Sequence, residues 1–184
     1  MLSIAFKEWA VVCRALAEGR QSLILRKGGI HEKDGVFRVE HERFWLFPTY
    51  LHQCEAGIIP TAHPLLADVE HTKPPADRVI LSSFVEVTDI FHLESEEKAL
   101  ALADLHIWSE ATVRQRFHYR QPGLFVLGVR VFMIPASHEL AMTPYYDGCK
   151  SWVELASPLA TTEAKPVLPA DKYHLRMQEL RAKV

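Results

Sequence analysis

The sequence predicts an α+β domain with a mixed, curved sheet or partly open barrel and flanking helices. Apolar runs of strand length are rich in β-branched and aromatic residues, and they alternate irregularly with helical segments. This order differs from the regular strand–helix alternation of a doubly wound fold. The 184 residues, 48% of them hydrophobic, suffice for one core without a disulfide or metal.

The first two apolar runs, 10–16 and 22–26, flank a polar segment that contains Gly19. This arrangement favours a β-hairpin with the glycine in its turn. A helix that begins at Phe6 is the alternative for the first run, because alanine, leucine, arginine and glutamate favour helices. The interpretation as a strand is preferred.

An aromatic run at 44–47 ends at Pro48 and predicts a buried strand that leads into a turn. Thr49 is then a candidate cap for a short helix over 50–56. Gly57 would stop that helix, because glycine favours the residue after a helix end.

The middle of the chain begins with a proline-rich connection over 58–78, which is expected to hold one or two helical turns near 65–69. Alternating β-branched residues predict a strand over 79–90. Ser95 is predicted to cap a helix whose apolar pattern reaches residue 105, and Ser109 to cap a second helix.

The longest apolar run, 124–134, predicts a central strand with a bulge or bend at Gly128. A short strand follows at 152–155. The last apolar residues recur at helical spacing and predict an amphipathic helix that docks on this domain or on a partner. We therefore expect one α+β domain over 1–156, followed over 157–184 by a proline-containing linker and this helix.

Charge gives no global argument for binding nucleic acid. Lysine and arginine number 21 against 23 aspartate and glutamate residues, so the formal net charge is -2. Proteins that bind nucleic acid usually carry a basic footprint. Only a local basic patch fits that function here.

The three cysteines, Cys13, Cys54 and Cys149, are far apart and form no Cys-x-x-Cys pair, which fits a reducing compartment. No apolar run approaches the roughly 20 residues that a membrane helix needs. The first residues lack the basic-then-apolar order of a signal peptide. We expect a cytoplasmic protein with no membrane partner.

The glycine pair after the second apolar run is the first candidate site. Arg26 and Lys27 precede Gly28 and Gly29. Glycines let backbone N–H groups approach an anion, and the two basic side chains supply charge. The segment predicts phosphate contacts by Arg26 and Lys27, although it lacks the order of a P-loop. A hairpin exit with solvated charges is the alternative.

Histidine next to glutamate recurs at 31–32, 41–42 and 138–139. Such pairs supply acid–base groups or metal ligands, but neighbours on a strand point to opposite faces. His31, Glu32 and His52 are the candidate catalytic residues, and solvated or structural histidines are the alternative. No metal signature is present and no cofactor is identified.

Polar and aromatic side chains follow the strand predicted at 44–47. Thr49, Tyr50, His52 and Gln53 stand where that strand ends, and strand ends commonly carry sites. We predict that these four residues line a nucleic-acid site. A helix cap by Thr49 is the alternative for part of the pattern.

The most pronounced basic concentration is Arg114, Arg116 and Arg120, with aromatic residues interleaved. Arginines and aromatics together grip phosphates and stack on bases. These arginines are candidate nucleic-acid contacts. An exposed helix face with its aromatics in the core is the alternative.

Four segments together resemble the uncharacterised family called domain of unknown function 1802. They are Phe6-Lys7-Glu8-Trp9, Leu25-Arg26-Lys27-Gly28-Gly29-Ile30, Leu46-Phe47-Pro48-Thr49 with His52-Gln53, and Gly148-Cys149-Lys150-Ser151-Trp152-Val153. The resemblance spans residues 4–156. The family is described as sometimes associated with an Mrr-type restriction endonuclease domain. This implies a role linked to DNA restriction or defence, with a restriction-type nuclease as a partner.

The layout of the strand that reaches Leu93, the helices after it and the strand at 124–134 resembles PUA-like and ASCH-like domains. That resemblance implies a small curved barrel that binds RNA or modified bases, although fold alone does not determine function. We expect a module that binds DNA or RNA. The alternatives are a hydrolase or phosphodiesterase that uses His31, Glu32 and His52, and a protein-interaction scaffold that uses the C-terminal helix.

Overall fold

The computed structural model describes residues 1–27, 30–33, 36–148 and 150–184, with 30–33 and 36–38 described as backbone alone. The strands are β1 (Leu2–Trp9), β2 (Leu23–Arg26), β3 (Ile30–Lys33), β4 (Val36–Val39), β5 (Arg43–Thr49), β6 (Arg78–Leu93), β7 (Leu124–Ala141), β8 (Trp152–Leu159) and β9 (Lys165–Pro166). The helices are α1 (Ala10–Ala17), α2 (His63–His71), α3 (Glu96–Leu100), α4 (Glu110–His118) and α5 (Ala170–Lys183). Single 3₁₀ turns lie at Glu55–Gly57, Pro60–Ala62 and Pro144–Tyr146.

Seven strands form one open sheet in the order β2-β7-β6-β5-β1-β8, with β9 paired to β7. Strands β1 and β5 are parallel. The other paired strands within the described residues are antiparallel, and β3 and β4 form a separate two-stranded sheet. This architecture confirms the predicted mixed α+β class with flanking helices.

The prediction of a strand over 10–16 is wrong, because this run forms helix α1. Strand β2, the predicted hairpin partner of this run, pairs with β7 instead. The run forms a helix in which six of eight residues are buried, and its alanine and leucine residues have high helix propensity. Gly19 follows it at φ +69°, which is the left-handed conformation that ends helices.

The prediction of a helix over 50–56 is also wrong. Thr49 does not cap a helix, because it remains in β5 and its hydroxyl donates to the carbonyl oxygen of Glu8 at 3.0 Å. His52 then adopts φ +67°, which a right-handed helix cannot contain. Only the 3₁₀ turn Glu55–Gly57 forms before the connection.

Both predicted serine caps are confirmed. Ser95 accepts from the backbone N–H of Lys98 at 3.4 Å, and Ser109 accepts from that of Thr112 at 3.3 Å. Helix α3 ends at Leu100, short of the apolar pattern.

The predicted central strand is β7. The bulge predicted at Gly128 occurs opposite this glycine, in the neighbouring strand β6. The register passes from Val87 opposite Val129 to Asp89 opposite Gly128, which leaves Thr88 as the extra residue of a bulge in β6. A Cβ atom on Gly128 would lie 3.0 Å from the sulfur of Met177. Glycine therefore permits the close approach of helix α5 to the sheet.

Helix α5 covers one face of the sheet. Its buried residues, Tyr173, Met177 and Leu180, belong to the larger of two apolar clusters, which also contains most of α1 and the inner residues of α4. The smaller cluster lies around Trp45, Phe47 and Phe84. No helix within the described ranges is long and apolar enough to cross a membrane.

Candidate nucleic-acid interface

The carboxyl ends of β1 and β5 meet at one end of the sheet, because these strands run parallel. Lys7 stands opposite Phe47, and Trp9 stands opposite Thr49. In open sheets, ligands bind in the crevice outside the carboxyl ends of parallel strands. Two cavities open on either side of β1 at this place.

The first cavity, here called the basic cleft, has a volume of about 490 Å³, within the usual range for ligand sites. Its lining includes four cations, Lys7, Lys73, Arg78 and Lys150, with one carboxylate, Asp147. Four aromatic residues also line it: Trp9, Phe47, Tyr50 and Tyr146. Because the whole chain carries a net charge of -2, this excess of cations is local.

The cations of the basic cleft lie beside aromatic rings. The Nζ atom of Lys73 is 5.0 Å from the centroid of Tyr50, and that of Lys150 is 5.1 Å from the centroid of Tyr145. Neither lysine forms an ion pair with a carboxylate in the described part of the chain. Both side chains are exposed and available to an anionic ligand.

Lys7 is held more firmly at the floor of the cleft. Its ammonium donates to the carbonyl oxygens of Tyr146 and Gly148, the latter at 3.1 Å, and lies 5.8 Å from the centroid of Phe47. Arg78 at the rim pairs with Glu139 and Asp77. The cleft therefore combines tethered and untethered positive charge.

The segment after β5 forms one wall. Tyr50 is half-buried, and burial raises the pKa of its phenol, so the hydroxyl stays protonated at neutral pH. His52 is exposed in its left-handed conformation. A residue other than glycine in this conformation is uncommon and often marks a functional loop.

The second cavity, here called the arginine cleft, has a volume of about 470 Å³ and lies on the other side of β1. Glu8, Arg26 and Arg116 line it together with the aromatic residues Phe6 and Trp152. Lys7 and Ser151 line both cavities. The two clefts are therefore neighbours with a shared wall.

Three buried or partly buried charges meet in the arginine cleft. Burial raises the pKa of the Glu8 carboxyl, and the nearby Arg116 and Arg26 oppose this effect. Burial also lowers the pKa of Arg26 to about 10 and that of Arg116 below its usual value. The guanidinium of Arg26 lies 4.2 Å from the centroid of Phe6 and 5.0 Å from that of Trp152.

Several predicted site residues make structural contacts. Lys27 lines the arginine cleft, but its ammonium donates to the carbonyl oxygens of Phe117, Gln121 and Gly123 at the end of α4. The side chain of Gln53 accepts from the backbone N–H of Val11 at 3.2 Å and so caps α1. These hydrogen bonds give both side chains a structural role that requires no ligand.

The arginines of the α4 region do not share one surface. Arg114 forms ion pairs with Glu110 and Glu96 on the exposed side. Arg116 turns the other way, stacks 3.8 Å from the ring centroid of Trp108 and enters the arginine cleft. Arg120 is exposed beside Tyr119 and lines neither cleft.

Of the five remaining candidate residues, three line the basic cleft and two have side chains outside the described residues. Thr49, Tyr50 and His52 line the basic cleft. The side chains of His31 and Glu32 lie outside the described residues. Among the residues whose side chains are described, no group of three histidine, cysteine, aspartate or glutamate residues is placed to hold a metal.

Sequence reasoning missed Glu8 and the lysines of the basic cleft. The charged pair Lys7-Glu8 interrupts an apolar run, and that interruption was the available signal for a buried charge. Lys73 and Lys150 lie far apart in the chain and come together only through the fold. All four segments that carry the family resemblance contribute residues to the two clefts.

Comparison with known proteins gives a family and a set of similar folds. The family model described as "Domain of unknown function (DUF1802)" matches residues 5–179. No curated protein matches the chain.

Among solved structures, the chain is similar to the crystal structure of ASCH from Zymomonas mobilis, with a TM-score of 0.48, 11% identity, and coverage of 97% of this chain and 93% of that chain. A tyrosine-to-phenylalanine mutant of the ZmASCH protein from the same organism gives a TM-score of 0.45 and 10% identity, with coverage of 83% of this chain and 88% of that chain.

Proposed function

Because this chain belongs to the domain of unknown function family DUF1802, whose description names no activity, we propose its function from its clefts: it binds single-stranded nucleic acid in the basic cleft. The observation that carries the proposal is the concentration of Lys7, Lys73, Arg78 and Lys150 around one aromatic-lined cavity in a chain of net negative charge. Local positive charge with aromatic rings is the combination that binds a single strand.

The charges account for contact with the strand backbone. Lys73 and Lys150 are exposed and unpaired with described carboxylates, so they can approach phosphates with no ion pair to break. Lysine binds phosphate as a point charge, which requires no fixed geometry. This contact is independent of base sequence and depends strongly on salt.

The aromatic residues account for contact with a base. Trp9 and Tyr50 line the cleft and are half-buried, so part of each side chain is accessible, whereas Phe47 and Tyr146 are almost fully buried. Single strands present unstacked bases to such rings, and a duplex does not. The cleft therefore favours a single strand over a double helix.

The orientation of Trp9 is fixed by its neighbours. Its ring lies 4.8 Å from that of Trp108, and a Cβ atom on Gly57 would approach it to 2.6 Å. Only glycine at position 57 leaves room for this indole. The wall of the cleft is thus set by packing rather than by a mobile loop.

Binding of a fluorescent single-stranded oligonucleotide, measured by anisotropy in about 50 to 200 mM salt, tests the proposal. We expect the double variant Lys73→Ala, Lys150→Ala to weaken binding and to flatten the salt dependence by roughly 0.7 in log–log slope for each lost phosphate contact. The matched control is Arg114→Ala, Arg120→Ala, which removes as many cations outside the clefts. Equal losses in both double variants would contradict the assignment to the basic cleft.

Two finer expectations from the sequence stay predictions. Recognition of a modified base predicts a difference in affinity between oligonucleotides that differ in one base modification only. A restriction-type nuclease partner predicts co-purification of such a protein with the tagged chain.

The hydrolase alternative rests among the described side chains on His52, which lies exposed in the basic cleft. Loss of nucleic-acid cleavage in His52→Ala with retained binding would support it. The scaffold alternative uses α5, whose apolar residues already pack on the sheet. Loss of a protein interaction after exchange of the exposed Leu175 would support that alternative.

A further inference from the structure

We propose that the arginine cleft is a subsite for a terminal phosphate group of the strand that lies in the basic cleft. The inference rests on the proposed function, because it takes the strand in the basic cleft as its starting point. It assigns Arg26 and Arg116 as the groups that hold the phosphate. Neither the family description nor the resemblance to solved structures assigns a ligand to this cavity.

The main evidence for this subsite is the burial of Arg26 and its unpartnered Nη1 atom. It is 7% exposed, it lines the cavity, and its Nη1 atom has no hydrogen-bond partner among the described residues. A buried donor without a partner is rare in proteins and costs the full desolvation penalty of the group. A phosphate oxygen is the acceptor that a guanidinium binds most readily, since the fork of N–H groups matches it in a bidentate way.

The aromatic rings hold Arg26 in place. The faces of the Phe6 and Trp152 rings contact its guanidinium, and no ion pair joins this guanidinium to a carboxylate among the described residues. Packing of this kind pre-organises a ligand-binding group before the ligand arrives. The site is therefore built, not assembled by chance from surface cations.

Arg116 supplies a second guanidinium. It uses Nη1 to donate to the carbonyl oxygen of Leu25 at 3.3 Å and stacks on Trp108. A guanidinium carries five N–H donors, so this arrangement leaves donors for a second acceptor. Arg116 lines the same cavity as Arg26.

Glu8 balances these cations when the cavity holds no anion. Its Oε1 atom accepts from the backbone N–H of Trp9 at 2.8 Å, and no ion pair joins it to either guanidinium. The carboxylate and an entering phosphate compete for the same positive charge. Removal of the carboxylate charge is therefore expected to strengthen phosphate binding, whereas removal of a guanidinium weakens it.

The burial of Arg26 favours the end of a strand over its interior. An internal phosphodiester has a sugar on each side, which keeps it from a guanidinium that is 7% exposed. A terminal monoester presents three free oxygens and up to two negative charges. Lys7 and Ser151 border both cavities, so a strand end can pass from one cleft to the other.

The test compares one oligonucleotide with a 5′-phosphate, with a 3′-phosphate and with neither, together with inorganic phosphate alone. We expect a terminal phosphate at one end to tighten binding by the wild-type chain about tenfold. Arg26→Lys keeps the charge but removes the fork, and we expect it to abolish that gain. Arg116→Lys is the second variant in case Arg26→Lys fails to fold, and Glu8→Gln should enlarge the gain.

The outcomes separate the two proposals. Equal affinity for all three oligonucleotides, lost only when Lys73 and Lys150 are replaced, overturns this inference and supports the proposed function. A phosphate gain that persists in both arginine variants also overturns it. If the chain binds inorganic phosphate but none of the three oligonucleotides, both this inference and the proposed function are overturned.

Discussion

The basic cleft and the arginine cleft share a wall at β1 but hold their positive charges in different ways. Lys73 and Lys150 are exposed in the basic cleft, whereas Arg26 is almost fully buried in the arginine cleft. Exposed charges attract a ligand over a distance and are screened by salt. Buried charges act at short range and cost desolvation free energy. Replacement of a cation is therefore expected to affect recognition alone in the basic cleft, and both recognition and stability in the arginine cleft.

The largest expected effect is on stability in the arginine cleft. Arg26→Met removes a buried guanidinium that lies over the rings of Phe6 and Trp152, and a desolvated cation–π contact contributes about 2 kcal/mol. It also leaves the buried Glu8 carboxyl with one nearby cation fewer. Lys150→Ala, an exposed cation of the other cleft, should change stability by less than about 0.5 kcal/mol. Urea unfolding of both variants measures the difference, and equal values would remove the distinction between the clefts.

The next effect is on binding in the basic cleft. Tyr50→Leu removes a ring on which a base can stack, which is worth about 1–3 kcal/mol of binding free energy. Tyr50→Phe keeps the ring and should keep the affinity, since the phenol is not needed for stacking. Oligonucleotide titrations of the two variants give the comparison. A loss in Tyr50→Phe as large as in Tyr50→Leu would mean that the hydroxyl, not the ring, makes the contact.

A pH dependence should separate Glu8 from the exposed carboxylates. Because burial raises the pKa of Glu8 above its ordinary 4.5, the folded state binds this proton more tightly than the unfolded state does. The resulting stability is fully present below pH 4.5 and is lost as the pH rises through the folded-state pKa. We expect Glu8→Gln to remove this loss, so the difference in unfolding free energy between wild type and variant should change over that pH range. A constant difference would contradict the raised pKa.

The smallest effect is expected outside both clefts. Arg114 pairs with Glu110 and Glu96 on the solvent side of α4, with about half of its side chain exposed. Exposed ion pairs contribute about 0–1 kcal/mol. Thermal unfolding of Arg114→Ala at low and high salt should therefore show a small, salt-sensitive change, and a loss comparable to that of Arg26→Met would contradict this ranking.

The sequence predicts five of the strands and both serine caps because their signals are local; these strands are β2, β5, β6, β7 and β8. The run at 124–134 contains enough β-branched and aromatic residues to specify a strand by itself, and Ser95 and Ser109 act within their own first turns. The run at 10–16 carries mixed local signals, because its alanine and leucine residues favour a helix and its two valines favour a strand. Its helix is stabilised by tertiary packing, because six of its eight residues are buried, most of them in the larger apolar cluster.

The candidate site was predictable only in part for the same reason. Tyr50 and His52 could be chosen because they follow a strand. Lys73 and Lys150 join them through contacts between distant segments, which no spacing in the sequence reveals. The arginines near α4 look like one patch along the chain, yet Arg114 and Arg116 point to opposite sides of the helix.

Photo-crosslinking of a single-stranded oligonucleotide that carries a photoreactive base, followed by mass-spectrometric mapping, tests the central claim most directly. The account predicts adducts on the segment that contains Tyr50 and on Trp9, and their disappearance in Lys73→Ala, Lys150→Ala. Adducts confined to the exposed side of α4, near Arg114 and Arg120, would contradict it.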